Sequence, residues 1–493
     1  MSQEQMYQLV AIIVYMAVLL AIGWYAYKKT SNLTDYMLGG RSLGPIATAL
    51  SAGAADMSGW LLMGLPGVIY VTGLGKSWMA IGLVAGAYIN WLIVAPRLRA
   101  YTYVNNTITI PSFLEKRLLD KSRLLRIVTG IIILVFFTFY VSSGMVSGGK
   151  FFLSSFGLDY HIGLLVVAAV VIAYTLFGGF LAVSYTDVIQ GAIMFLALIL
   201  VPIIGLTYTG GIAETISTVK SASPLHFSFF EGVTAISIIS SLAWGLGYFG
   251  QPHIIVRFMA IKTIKETRSA RRIGIGWMFL SMLGAVFTAI VGYAYFLQQG
   301  ATIDDPETVF IVLGQIIFHP IIAGVILAAV LSAVMSTISS QLIVTSSALI
   351  EDLYKVFNKT PKSDSYYVFL GRVAVFAVSV VAIMLAWPNN ESVLDLVSFA
   401  WSGFGSAFGP LILLSLYWRK TTSQGAVAGL IVGAVVVFVW EKFKWFELYE
   451  IVPGFLLSLI TIVVVSLITY KPNKEIDETF DAAVAHLHEE MKK

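Results

Sequence analysis

Long apolar runs separated by short polar segments dominate this sequence. A helix needs roughly 20 apolar residues to cross a bilayer, and about thirteen runs reach or approach that length. We place them at residues 7–27, 43–74, 77–95, 126–154, 161–181, 188–209, 233–256, 273–297, 316–350, 369–387, 393–417, 425–440 and 451–470. The pattern predicts an all-α polytopic membrane protein, because spanning helices satisfy all their backbone hydrogen bonds internally.

The composition supports this class and excludes several functions. Of the 493 residues, 58% are hydrophobic and 12% are charged, whereas soluble domains carry about 25% charged residues. The chain has no cysteine, and its six histidines show no metal-ligand spacing. It also lacks a phosphate-binding loop, a dinucleotide-binding glycine pattern and a nucleophile elbow. We therefore expect neither an enzyme nor an ATP-driven pump.

The positive charges are concentrated in one of the two sets of loops. Of the 31 Lys and Arg residues, 26 lie at 28–42, 96–126, 257–272, 351–372, 418–424 and 471–493. Cytoplasmic loops carry such an excess, which predicts an odd number of spans, an external N-terminus and a cytoplasmic C-terminus. Residues 1–8 lack the basic stretch of a cleaved signal, so the first span is retained. The net charge of +4 comes from these loops and does not indicate nucleic-acid binding.

One carboxylate, Asp56, interrupts the second apolar run, and it is the only one that we place deep within a span. A charge there costs at least ~2.5–3.5 kcal/mol on insertion scales, so such residues usually face a cavity, an ion or a partner. The neighbouring Gly53, Ser58 and Gly59 predict a break in the helix, which frees backbone carbonyl groups. These features together predict a cation site inside a transporter.

A second interrupted segment lies at residues 244–252, five spans later. Gly245, Gly247, Gly250 and Pro252 fall within nine residues there, and proline removes a backbone donor while glycine permits non-helical geometry. Paired breaks at corresponding positions of two halves indicate inverted repeats with a binding site between them. The alternative is that these glycines only allow close packing of helices.

The ninth span carries a stripe of hydroxyl groups. Ser332, Ser336 and Ser340 repeat every four residues and so share one helical face, with Thr337 on its flank. Hydroxyl and carbonyl oxygens are suitable Na⁺ ligands. The alternative for such residues is hydrogen bonding between helices or to the preceding turn.

With these segments, the chain resembles the sodium/solute symporter family, most closely its bacterial sodium/proline symporters. The similarity extends over nearly the whole chain, and its most specific parts are residues 56–66, 177–184, 247–253 and 331–337. The resemblance implies a leucine-transporter-like fold with two inverted five-helix repeats. The expected divisions are a first peripheral span and loop (1–42), the two repeats (43–210 and 211–424), two peripheral spans (425–470) and a cytoplasmic tail (471–493).

The resemblance also implies which residues bind the ion and the solute. Sodium would be held by backbone carbonyls and hydroxyls of Ala54, Met57, Ala333, Ser336 and Thr337, with Asp56 and Asp187 needed for coupling. Asp187 could instead be an ordinary N-cap of the next helix. The solute contacts would come from Ser58, Gly59, Tyr140, Trp244, Tyr248 and Pro252.

We therefore predict Na⁺-coupled uptake of L-proline by alternating access across a bacterial cytoplasmic membrane, with Li⁺ as a substitute ion. The expected partners are proline, Na⁺ and the lipid bilayer, with no nucleic acid and no obligatory protein partner. The alternatives are Na⁺ symport of another small organic solute and an H⁺-coupled carrier, because a single buried carboxylate could also carry a proton.

Overall fold

The structure, a computed structural model, describes residues 2–29 and 33–492. Residues 30–32 of the predicted first loop and the two terminal residues lie outside this described part. Within it every regular element is helical, and the one β-type pairing is a bridge between Leu43 and Ile261. The helices are α1 Gln3–Tyr27, α2 Leu33–Leu38, α3 Pro45–Asp56, α4 Trp60–Thr72, α5 Leu74–Val104, α6 Ile110–Leu118, α7 Leu124–Phe156, α8 Tyr160–Leu176, α9 Gly178–Tyr208, α10 Ile212–Ala222, α11 Ala235–Gly250, α12 Pro252–Ala260, α13 Glu266–Gln299, α14 Pro306–Ile317, α15 Pro320–Phe357, α16 Asp364–Ala386, α17 Val393–Tyr417, α18 Ser423–Phe443, α19 Ile451–Thr469 and α20 Lys474–Lys492.

Each predicted apolar run coincides with a helix or a broken helix. In the described part of the chain, ten helices are long and apolar enough to cross a membrane, or eleven if the bent pair α3–α4 is one span. The runs at 161–181 and 233–256 correspond to α8 and to α11 with α12, and α8 and α11 are shorter apolar helices. The all-helical class is confirmed, whereas the count of about thirteen spans stays a prediction.

The boundary between α8 and α9 differs from the predicted one. The chain turns at Gly179, where φ is 58°, so α9 begins ten residues before the predicted start at 188. A Cβ on Gly179 would lie 2.6 Å from Cδ2 of Tyr36, so both the backbone angle and the close approach require glycine. Asp187 consequently lies inside α9, and the alternative that it caps a helix N-terminus is wrong.

Two helices are broken in the middle of the molecule, as the sequence predicts. Between α3 and α4 the helix stops at Asp56, resumes at Trp60 and bends by 62°. Between α11 and α12 the chain is extended at Gln251, and Pro252 opens the new helix, where its missing N–H costs no hydrogen bond. Gly53 is not part of the break: it lies one turn earlier, where a Cβ would come within 2.8 Å of the Trp277 ring.

The break between α11 and α12 is enclosed by α5 and α17. A Cβ on Gly86 of α5 would lie 2.2 Å from the carbonyl oxygen of Gly245. On the α17 side, a Cβ on Gly250 would lie 2.3 Å from the carbonyl oxygen of Phe404. The glycines that permit the break therefore also let neighbouring helices approach its backbone.

The C-terminal helix α20 packs across one end of the molecule. Its Phe480 is buried against the ring of Tyr101, and its Asp481 forms an ion pair with Arg419, two residues after the end of α17. Glu490 accepts a hydrogen bond of 2.9 Å from the backbone N–H of Ile264. We refer to this end as the α20 face.

Candidate ion and solute site

Backbone and hydroxyl oxygens from α3 and α15 meet beside the first break. The Ser336 hydroxyl donates to the carbonyl oxygen of Ala54 at 2.6 Å, and Oγ1 of Thr337 lies 3.4 Å from the same oxygen. Both hydroxyls also lie within 3.3 Å of the carbonyl oxygen of Ala333. Met57, the residue after the end of α3, is buried and has a non-helical ψ of 75°. Four of the five predicted sodium residues are thus in direct contact, and the fifth lies at the adjoining break.

The Asp56 carboxylate lies at the same break and is almost fully buried. Its Oδ2 accepts a hydrogen bond from the hydroxyl of Tyr248, whereas Oδ1 has no hydrogen-bond partner among the residues that the structure describes. Its backbone oxygen accepts a bond of 3.0 Å from the indole N–H of Trp60. Asp56 therefore joins the two broken helices and keeps one oxygen free, which suits attraction of a cation.

Aromatic rings from α11, α17 and α7 form the wall next to Asp56. Trp244 stacks on Trp401 with ring centroids 6.4 Å apart, and Tyr248 meets the edge of Trp401 at 5.0 Å. The hydroxyl of Tyr140 is buried near Ser58 without a well-formed hydrogen bond. This wall offers apolar surface with a few polar atoms, as small-molecule sites do.

The remaining predicted solute contacts are Gly59, which packs against α7, and Pro252, which lies on the α20 side of its break. A Cβ on Gly59 would lie 2.4 Å from Oγ of Ser147, so Gly59 lets α7 approach closely. Pro252 lies on the α20 side of the break, beside a small cavity of about 20 Å³ that also contacts Asp352.

Three residues that the sequence analysis does not single out attach the broken helix α11–α12 to α5 and α17. The side-chain amide of Asn90 donates to the carbonyl oxygen of Tyr248 at 3.0 Å. The indole N–H of Trp401 donates to the carbonyl oxygen of Trp244 at 2.8 Å, and Gln251 donates to that of Trp401 at 3.1 Å. Asn90 is recognisable in the sequence, because it is a lone amide in an apolar run and polar residues within spans are usually functional.

We call the oxygens of Ala54, Ala333, Ser336 and Thr337 the ion cluster. A second buried carboxylate forms an ion pair about one helical turn from this cluster. Oδ2 of Asp187 lies 3.3 Å from Nη2 of Arg257 and accepts a bond of 2.6 Å from Ser51. Arg257 also donates to Ser340 at 2.6 Å. Asp56 is therefore not the only carboxylate deep within a span. Arg257, which the charge pattern assigns to a cytoplasmic loop, is instead a fully buried residue of α12.

A wide cavity opens on the face opposite α20 and reaches the aromatic wall. It has a volume of about 750 Å³, and we call it the vestibule. Its lining comprises Val68, Lys76, Met79, Ser240, Ser241, Trp244, Asn390, Glu391, Ser392, Leu394, Asp395, Ser398, Phe399, Trp440, Glu441, Lys444, Glu447, Leu448, Tyr449 and Glu450. Below the aromatic wall, the cavity beside Asp56 has only about 20 Å³. The space around the aromatic wall is therefore wide on the vestibule side and narrow beside Asp56.

The comparison with known families agrees with this arrangement. The model of the sodium:solute symporter family matches residues 36–433. The chain belongs to the sodium:solute symporter family. As a member of a transport family it is a symporter and not an enzyme, which confirms the expectation from the sequence.

Individual members of the family resemble the chain along most of its length. The high-affinity proline transporter PutP of Bacillus subtilis is 60% identical over 465 residues, which are 94% of this chain and 98% of that protein. Sodium/proline symporter 2 of Staphylococcus saprophyticus is 51% identical over 485 residues, 96% of this chain and 95% of that protein.

A solved structure confirms the fold. A Na⁺-coupled sialic acid symporter in a substrate-bound outward-open state superposes with a TM-score of 0.79, covering 95% of this chain and 99% of that chain. Its sequence identity is 20%. The family member described here therefore has the leucine-transporter-like fold, in which two broken helices lie at the centre.

Proposed function

We propose that this symporter takes up L-proline together with Na⁺ by alternating access. The observation that carries the proposal is the meeting of hydroxyl and carbonyl oxygens at Ala54, Ser336 and Thr337, next to a buried carboxylate and an aromatic wall. The names of its relatives, a proline transporter and a sodium/proline symporter, supply the identity of solute and ion.

The ion would bind where α3 ends against α15. Na⁺ would replace the hydroxyl hydrogen bonds of Ser336 and Thr337 to Ala54 and be held by those oxygens with the carbonyls of Met57 and Ala333. Asp56 would act through its charge and through its hydrogen bond to Tyr248. Asp187 would act through its contact with Ser51, which lies on α3 together with Asp56. Binding would fix the end of α3, which supports a role of Na⁺ in preparing the solute site. Li⁺ would substitute for Na⁺ at the same oxygens.

Proline would bind against the aromatic wall. The solute is a zwitterion with an apolar ring, so Trp244 and Tyr248 would hold the ring while Tyr140 and Ser58 offer hydroxyl groups. Backbone N–H groups at the start of a half-helix, such as α4 after Gly59, carry partial positive charge and suit the carboxylate. Pro252 would fix the break rather than touch the solute directly.

The membrane arrangement would follow the charge distribution. With the α20 face in the cytoplasm and the N-terminus outside, the vestibule opens to the exterior of the cell. We retain the divisions 1–42, 43–210, 211–424, 425–470 and 471–493 as the first span with its loop, the two inverted repeats, the two peripheral spans and the tail. The protein would function in the lipid bilayer without an obligatory protein partner.

The membrane potential can supply the driving force. One charge that crosses 100 mV gains about 2.3 kcal/mol. If one Na⁺ moves with each neutral proline, this gain alone supports an accumulation of about fifty-fold.

Uptake of radiolabelled L-proline into proteoliposomes tests the function. An inward Na⁺ gradient is compared with an inward K⁺ gradient at equal potential and pH, and unlabelled solutes are added as competitors. We expect uptake only with Na⁺ and competition only by proline and close analogues. Uptake driven by a pH gradient without Na⁺ would establish an H⁺-coupled carrier, and competition by an unrelated solute would refute the choice of proline.

The solute pocket is tested by removing its rings one at a time. Trp244→Ala and Tyr248→Ala should each raise the KM for proline about tenfold or more, since each ring covers the apolar ring of proline and full burial of a large apolar group contributes about 1.5–3 kcal/mol. The Na⁺ dependence of Trp244→Ala at saturating proline should change little, whereas Tyr248→Ala also removes the hydrogen bond to Asp56 and should weaken Na⁺ activation. Trp24→Ala on the exposed side of α1 is the matched control. A wild-type KM in both pocket variants would contradict the assignment.

A further inference from the structure

An aromatic residue from outside the two proposed repeats lies on the solute pocket. Tyr449 belongs to the loop between α18 and α19, and its ring stacks on Trp244 with centroids 5.2 Å apart and an interplanar angle of 24°. Both rings are largely covered, with exposed fractions of 9% and 7%. A residue of a peripheral helix pair thus contacts a residue of the aromatic wall.

Hydrogen bonds attach this loop to the two helices that carry the wall. The Tyr449 hydroxyl donates to the carbonyl oxygen of Ser398 in α17 at 2.8 Å. The Tyr449 backbone N–H donates to Oγ of Ser240 in α11 at 3.0 Å. Ser240 lies one helical turn before Trp244, and Ser398 lies three residues before Trp401. The ring of Tyr449 is therefore fixed relative to the wall from both sides.

The backbone of the loop adopts unusual geometry. Lys444, Phe446 and Glu447 have φ values of 47°, 61° and 55°, in the left-handed region that residues other than glycine rarely occupy. Such conformations persist where surrounding contacts impose them, and they concentrate at functional sites. Here Trp440 of α18 supports the turn by donating its indole N–H to the carbonyl oxygen of Leu448 at 2.9 Å.

Tyr449 lies at the floor of the vestibule. Ser240, Ser398, Trp244 and Tyr449 all line that cavity, whereas Tyr248 and Ser58 do not. Burial raises the pKa of Tyr449 well above its ordinary value, and Glu450 acts in the same direction. The hydroxyl is therefore neutral at physiological pH and can donate to Ser398. The ring of Tyr449 therefore covers Trp244 at the vestibule floor, whereas Tyr248 and Ser58 lie outside the vestibule lining.

We propose that Tyr449 is the outermost residue of the solute site and closes that site toward the vestibule. A solute that enters from the vestibule reaches Tyr248 only after the ring of Tyr449 leaves Trp244, and the ring returns over the bound solute. The identity of the solute as proline rests on the proposed function, whereas the closing role does not.

The absence of cysteine from the chain makes this role directly measurable. Ser58→Cys introduces a single thiol that is buried below the wall and outside the vestibule lining. Right-side-out membrane vesicles are treated with a charged, membrane-impermeant thiol reagent in Na⁺ buffer. Adding Tyr449→Ala should accelerate labelling about tenfold or more, and adding Tyr449→Phe, which keeps the ring, should change it by less than about threefold.

The matched control is Phe446→Ala in the same loop, because the Phe446 side chain is 78% exposed and has no ring contact with Trp244. It should leave the labelling rate unchanged. If Tyr449→Ala lowers the amount of folded protein, Tyr449→Leu fills similar space without the ring stack and should also accelerate labelling. Equal rates for the parent and the Tyr449 variants, or the same acceleration by Phe446→Ala, would overturn the closing role.

Transport provides the second readout. In the chain that retains Ser58, Tyr449→Ala should raise the KM for proline about tenfold, while Tyr449→Phe stays within about threefold of the parent. An unchanged KM in Tyr449→Ala would show that the ring does not retain the solute and would overturn the proposal. If the parent takes up no proline, the proposed function fails, and the labelling rates still decide whether Tyr449 closes the site.

Discussion

Replacing Thr337 with valine should weaken the Na⁺ activation of transport while leaving the protein folded. Oγ1 of Thr337 lies 3.2 Å and 3.4 Å from the carbonyl oxygens of Ala333 and Ala54, longer than the usual 2.5–3.0 Å of such bonds. Losing these contacts should cost the ion-free protein little, and valine fills nearly the same space. Removing the Thr337 hydroxyl should therefore destabilise mainly the ion-bound form.

The magnitude follows from the charge of the ion. A hydrogen-bonding oxygen that interacts with a charged partner contributes about 1.5–3 kcal/mol, and about 1.4 kcal/mol corresponds to a factor of ten. We expect the Na⁺ concentration for half-maximal proline uptake to rise about tenfold to 100-fold. The assay is initial uptake into proteoliposomes at saturating proline over a range of Na⁺ concentrations.

Thr345→Val is the matched control for this variant. Thr345 lies on the same helix and is equally buried, and its hydroxyl donates to the carbonyl oxygen of Gln341 at 2.7 Å without contacting α3. It should shift the half-maximal Na⁺ concentration by less than about twofold. An equal shift in both variants, or none in Thr337→Val, would refute the ion cluster as the Na⁺ site.

Three further variants test other parts of the structure. Asp56→Asn should raise the half-maximal Na⁺ concentration at least about tenfold with near-normal membrane levels, because it removes the charge and keeps a hydrogen-bond acceptor; an unchanged Na⁺ dependence would contradict its role. Gly247→Ala should lower the melting temperature in detergent, because its Cβ would lie 1.9 Å from the indole nitrogen of Trp401 and overpacking costs about 1–3 kcal/mol. Gly276→Ala is the control and should leave the melting temperature unchanged, because its Cβ would have no described neighbouring atom within 4 Å. Arg257→Met should destabilise the protein by about 3–5 kcal/mol by leaving a buried charge unpaired, and adding Asp187→Asn should restore much of the loss in the same thermal assay; no recovery would argue against the pair.

The central architecture is predictable because its signals are local. Asp56 with Ser58 and Gly59, and the Gly–Pro segment at 244–252, mark the two breaks without any knowledge of contacts. The hydroxyl stripe of α15 likewise identifies a polar face in an apolar helix. What these residues bind is a separate matter, and the assignment of Na⁺ ligands and proline contacts stays a prediction for the variants above to test.

The remaining features depend on contacts between distant segments. Arg257 follows an apolar run, so hydropathy assigns it to a loop, although α12 continues to Ala260 and Asp187 neutralises the charge from α9. The position of Asp187 in turn depends on a turn at Gly179, which composition cannot distinguish from a packing glycine. Tyr449 gives no sequence signal at all, because its contact with Trp244 joins residues more than 200 positions apart.

The glycine contacts between α5 and α11 determine which parts of the molecule can move separately. A Cβ on Gly82 would lie 2.4 Å from the carbonyl oxygen of Leu242, and one on Gly86 would lie 2.2 Å from that of Gly245. Helices in backbone contact have no layer of side chains between them that could slide or repack. We therefore expect α5 and α11 to move together as one rigid unit. The loop before α19 contacts this unit through the ring of Tyr449 and a hydrogen bond to Ser240, so the proposed opening at Tyr449 would break these contacts without disturbing the glycine contacts.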